Sequence, residues 1–128
     1  SPGPPGRAAL GAAAGEAQVV EDAVFVLEVL QAAAFLQLSR LEKAAEACLL
    51  LQGGLSAASC LPLFARSFGK QRVVSAACLR LLAERGASGV LRGRERQLGV
   101  LFATHAAAAS VLCGTLNGLC KSGRFERA

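Results

Sequence analysis

The chain has 128 residues, 53% of them hydrophobic and 18% charged, enough for one domain or one piece of a larger one with a core of its own. Its net charge is +5, but without Tyr, Trp, a lysine run or a reader motif this excess speaks against nucleic acid as a partner; it reads as a solvated arginine face formed by Arg92, Arg94, Arg96, Lys121, Arg124 and Arg127. A mean hydropathy of +0.44 calls for a membrane segment or for apolar faces that meet another body, and a chain with no Met at any position reads as a piece of a longer product.

Residues 1–17 are rich in Pro, Gly and Ala and read as a flexible tail. A first helix is predicted over Val19–Phe35. Val26, Leu27, Leu30, Ala33 and Ala34 recur there at helical spacing, and Glu21 and Asp22 lie near its start. Leu36-Gln37-Leu38 is a turn. Ser39 has Glu42 at capping-box spacing and is the expected N-cap of a second helix, Arg40–Gln52, which Gly53-Gly54 stops. A third helix, Ser59–Phe68, tolerates Pro62 in its first turn and lines up Leu61, Phe64 and Phe68. Past Gly69-Lys70 a fourth helix is expected over Gln71–Arg85, burying Val74, Cys78, Leu81 and Leu82 and ending at Gly86 and Gly89. A fifth is expected over Glu95–Leu112, with Leu98, Leu101, Phe102 and Ala109 on one side; Gly114–Ala128 reads as an irregular tail, with a short helix around Leu116–Cys120 as the alternative. The class is all-α, an array of antiparallel helix pairs joined by short loops.

Little in this chain points to chemistry. The single histidine, His105, has no neighbouring carboxylate and no second His, so neither a metal site nor a Cys–His dyad is indicated. There is no phosphate-binding glycine loop and no nucleophile elbow, and the chain reads as a non-enzyme without cofactor. The five cysteines, Cys48, Cys60, Cys78, Cys113 and Cys120, are odd in number and contain no CxxC pair. They read as small apolar residues in a reducing compartment, cytoplasmic or nuclear. Gln97–Cys120 carries no formal charge and is long enough for a bilayer span. Its alanines and its Thr, Ser, Asn and Gln favour a buried helix instead.

The segment Leu27-Glu28-Val29-Leu30-Gln31-Ala32-Ala33-Ala34-Phe35-Leu36-Gln37-Leu38 resembles the penultimate helix of a BTB (POZ) domain. Leu41 and Ala47-Cys48 look like that domain's last helix, and Leu55-Ser56-Ala57-Ala58-Ser59-Cys60-Leu61-Pro62-Leu63 is similar to the junction of BTB with BACK, with Ser59 where asparagine is usual. Val73-Val74 and Ala77-Cys78-Leu79 are similar to the second BACK helix; beyond Gly89 the likeness fades. The resemblance covers about Val19–Leu82. It implies residues 18–54 as the end of a BTB-like domain, 55–113 as a BACK-like region and 114–128 as a tail. Kelch-like members of this family are substrate adaptors of cullin-RING ubiquitin ligases, which implies a protein–protein interaction module that acts by positioning, with a cullin as partner and dimerisation through BTB elements outside this chain. Carried over by position, Leu61, Leu63, Phe64 and Phe68 lie nearest the cullin groove; as an apolar stripe they equally fit plain core packing. The alternative is a helical scaffold or membrane-associated protein without a ubiquitin-ligase role.

Overall fold

Alanine, the strongest helix former, makes up most of residues 8–17, and Pro5 stands at a first helical position, where its missing N–H costs nothing. A computed structural model of the chain describes the backbone of residues 5–123 and the side chains of residues 15–123. Helix α1 runs Pro5–Phe35. The segment expected as a tail is thus helical from Pro5 onward, because the alanines outweigh Gly6, Gly11 and Gly15; residues 1–4 lie outside those described.

Ala23, Leu27, Leu30 and Ala33 form the buried stripe of α1. The helix closes in a Schellman turn: the Leu38 N–H donates to the Ala33 carbonyl (2.8 Å) and the Gln37 N–H to that of Ala34 (3.2 Å). Gln37 occupies the left-handed position of this turn, at φ 59°. Helix α2 spans Ser39–Leu51, and its N-cap is Leu38, with no side-chain cap. The expected capping box at Ser39 therefore does not form: the turn brings Leu38 to the cap, and its carbonyl accepts the Glu42 N–H at 2.9 Å.

Gly53-Gly54 ends α2 as expected, and the joint to the next helix is close-packed. A Cβ on Gly54 would lie 3.0 Å from the Leu49 Cα and 3.1 Å from the Cys48 carbonyl oxygen. Ser59, fully buried, ties the loop together: its Oγ accepts the Ser56 N–H (2.9 Å) and donates to the Gly54 carbonyl (2.7 Å). Helix α3 follows over Cys60–Ser67, with Pro62 in its first turn. Helix α4 covers Arg72–Arg85 and buries Val74, Cys78 and Leu82, while Leu81 is only partly covered. A short helix, α5 (Ala87–Leu91), was not legible in the sequence; it buries Ala87 and Val90.

The single helix expected over Glu95–Leu112 is two: α6 (Glu95–Thr104) and α7 (Ala106–Lys121), broken at His105, φ −135° and ψ 69°. The break lets α6 and α7 pack on each other and both reach α3, which one straight rod could not do. Helix α7 also takes in much of the expected irregular tail, from Gly114 to Lys121; residues 124–128 lie outside those described. No helix is long and apolar enough to cross a membrane among the described residues.

The chain is all-α, with seven helices and no strand among the described residues. Neighbours pair, α1 with α2 and α3 with α4, while α3 also meets α1, α6 and α7. One apolar core draws on all seven helices. At the rim, Arg94 departs from the solvated face expected of the arginines: it is largely buried, ion-paired to Glu16 at 2.9 Å and bonded to the Val90 carbonyl at 2.9 Å, and so fastens α1 to the segment before α6. Arg92, Arg96 and Lys121 are exposed, and Arg124 and Arg127 lie outside the described residues.

Two changes probe these joints. Ser59→Ala removes a buried acceptor and donor at once and is expected to destabilise the fold by about 1–3 kcal/mol, read as a lower urea midpoint at unchanged slope. Gln37→Gly relieves a left-handed side-chain conformation and is expected to raise stability by up to ~1 kcal/mol, read as a higher thermal midpoint.

Candidate functional site

Helix α3 positions whatever site this fold offers, since it touches four other helices. Its inner stripe holds most of the residues singled out in the sequence. Leu61, Leu63 and Phe64 are 2%, 0% and 1% exposed. Phe68, just past the helix end, is half-buried, and its ring stacks tilted on Phe64 with centroids 5.6 Å apart. The four residues are brought together, but three of them face inward. The sequence stripe that marked them is the signature of a core face.

The outer strip of α3 is Pro62, Ala65 and Arg66, at helical spacing. It faces α6 across a cleft of about 320 Å³. Leu61 and Leu101 close the bottom of this cleft, and Pro62, Ala65 and Val100 line its walls. Val100 is 57% exposed, so the cleft is open to solvent. Arg66, Arg96, Thr104 and His105 form the polar rim. Thr104 Oγ1 donates to the Val100 carbonyl (2.7 Å) and lies 2.7 Å from His105 Nδ1, which fixes the end of α6 at the cleft. Gln97 also lines the cleft, and its side-chain oxygen is shielded from solvent without a hydrogen-bond partner. Sequence reasoning missed Pro62, Ala65, Arg66, Arg96 and Val100. Their one signal was the i, i+4 step from Arg96 through Val100 to Thr104, which runs beside the Leu98–Phe102 stripe and defines a second face of the same helix.

Large apolar side chains also stand exposed on the first two helices. Phe25, Phe35, Leu36 and Leu51 are 64%, 86%, 61% and 82% exposed, on α1, the turn after it and the end of α2. Helix α2 buries only Ala45 and Leu49, and Leu41 is exposed.

Among the described residues no cluster of three His, Cys, Asp or Glu side chains is arranged to hold a metal ion. All five cysteines are free thiols. Cys60 and Cys78 are buried side by side, the Cys60 thiol donating to the Cys78 carbonyl at 3.4 Å. Hydrogen bonding to Cys60 and then burial push the Cys78 thiol far above its ordinary value of 9.0. Ionisation is thereby suppressed in the folded chain but free in the unfolded one, so the unfolded state binds fewer protons at alkaline pH and stability falls as pH rises. Above about pH 9 this group alone is expected to lower stability by roughly 1.4 kcal/mol per pH unit, and Cys78→Ala should flatten that alkaline slope in urea titrations. In the native chain Cys113 and Cys120, both exposed, should react with a thiol reagent at once, and Cys60 and Cys78 only on unfolding.

The chain matches no protein-family model, no curated protein and no solved structure.

Proposed function

We propose that this chain is a protein–protein interaction module, the end of a BTB-like domain followed by a BACK-like region, serving as part of a substrate adaptor for a cullin-RING ubiquitin ligase. The observation that carries the reading is the apolar surface of α1 and α2, where Phe25, Phe35, Leu36 and Leu51 stand exposed. Large apolar side chains gathered on one pair of helices mark a surface meant to be covered. They lie on the two helices that resemble the end of BTB, where a BTB sheet would pack. The mechanism is positioning: partners are held close enough for ubiquitin transfer, and the chain itself carries no catalysis and no cofactor. Free, unpaired thiols support a reducing setting, the cytoplasm or the nucleus.

Of the four residues carried over from the family, Phe68 is the candidate for direct contact with a cullin, since it alone is only half-buried. Leu61, Leu63 and Phe64 act from inside, by holding the helix in place.

The intact parent protein is expected to capture the N-terminal segment of a cullin in a pulldown. Phe68→Ala should cut that capture several-fold while leaving the helical circular-dichroism signal in place. Absence of capture by the unaltered parent would overturn the adaptor role in favour of a plain helical scaffold.

A further inference from the structure

We propose that the cleft between α3 and α6 is a docking groove for an acidic amphipathic helix of a partner protein, one that carries aliphatic anchors flanked by Asp or Glu. This rests on the reading of the chain as an interaction module but not on a cullin as its partner.

Three observations carry it. The floor and walls are apolar, and Val100 stands 57% exposed in them although it is a large aliphatic residue. A surface of this kind gains most by accepting a few apolar anchors, the usual basis of helix-in-groove recognition. The cleft, about 320 Å³ and partly open to solvent, suits the side chains of one helical face better than an enclosed small molecule, whose pocket would bury nearly all of its surface.

Charge then selects the occupant. Arg66 and Arg96 stand on opposite walls of the cleft, one on α3 and one on α6, and no carboxylate lines it. The ion pair between described residues is Arg94–Glu16, so neither of these two guanidiniums has an acidic side chain of the described residues within ion-pair distance. Both are exposed and free to reach a carboxylate on the visitor, where a planar guanidinium gives a paired, directional contact. Opposite charges at a rim steer association and fix register more than they add affinity. The apolar wall therefore provides the hold and the two arginines choose an acidic helix over a basic one.

The test uses the full chain and three fluorescein-labelled helical peptides, read by fluorescence anisotropy. The first has leucines at i and i+4 flanked by glutamates. The second replaces each glutamate with lysine, and the third replaces each leucine with alanine. The first should bind, with the lysine peptide weaker by roughly three- to tenfold, the size expected of two solvent-exposed charge pairs, and the alanine peptide should not bind measurably. Arg66→Glu with Arg96→Glu, both on exposed side chains, should invert the preference so that the lysine peptide binds better. Val100→Asp should abolish binding of the first peptide with the helical signal unchanged. Equal binding of the glutamate and lysine peptides, or a preference that survives the double charge reversal, would overturn the proposal. So would self-association of the free chain that the charge reversal abolishes, since the groove would then take a second copy. A parent protein that captures no cullin while the glutamate peptide still binds removes the adaptor role and leaves the groove standing.

Discussion

The burial of α3 is the constraint on which the rest of this structure depends. A helix of eight residues is too short to persist alone in water. It persists because Cys60, Leu61, Leu63, Phe64 and Ser67 are all buried, each of the larger apolar side chains contributing on the order of 1.5–3 kcal/mol of burial. Four other helices supply the surfaces that bury them. The entrance is fixed by Ser59 and by the tight approach of Gly54 to α2. The exit is fixed from α1, where the Gln31 side chain donates to the Arg66 carbonyl at 3.0 Å and to the Gln71 side chain at 2.9 Å.

This arrangement divides α3 sharply between support and display. The inner residues cannot meet a partner without leaving the core, so display is left to Pro62, Ala65 and Arg66 on the outer strip and to Phe68 beyond the end. A family likeness drawn on sequence alone places weight on Leu61 and Phe64, because leucine and phenylalanine dominate the pattern. Their depth means that they set where the outer strip lies, and the surface itself is left to smaller and more polar neighbours.

The helical class, the stops at Gly53-Gly54 and Gly69, and the inner stripes of α3 and α4 were legible because each rests on local chemistry: periodic apolar residues and glycines that end helices. What was not legible depended on packing. Ser39 looks like a cap by spacing, yet the left-handed turn at Gln37 delivers Leu38 to that position. Pro2, Pro4 and the glycines suggested a tail, but the alanines between them have enough intrinsic propensity to extend α1 to Pro5. Arg94 resembles its neighbours in sequence and differs from them only because Glu16, far away along the chain, comes within 2.9 Å. Phe102 sits on a predicted inner face and is exposed, since the bend at His105 turns α6 so that Leu101 alone of its residues is fully buried.

That bend also accounts for the cleft, while alanine accounts for much of the high mean hydropathy. An unbroken helix through His105 would carry an uncharged stretch of the length that spans a bilayer. As built, α6 and α7 have ten and sixteen residues and both pack on α3. Helix α6 lies far enough from α3 to leave the cleft, and α7 closes the core with Ala108, Ala109, Leu112 and Leu119. Much of the apolar count here is alanine, with Ala103, Ala106 and Ala107 on the surface. A small side chain adds to hydropathy but provides little area to bury, so the chain can be rich in apolar residues and still leave large ones uncovered. Phe25, Phe35 and Leu51 remain exposed for that reason: the core is filled by side chains nearer to α3, and the outer side of α1 and α2 has no element of the described chain left to cover it.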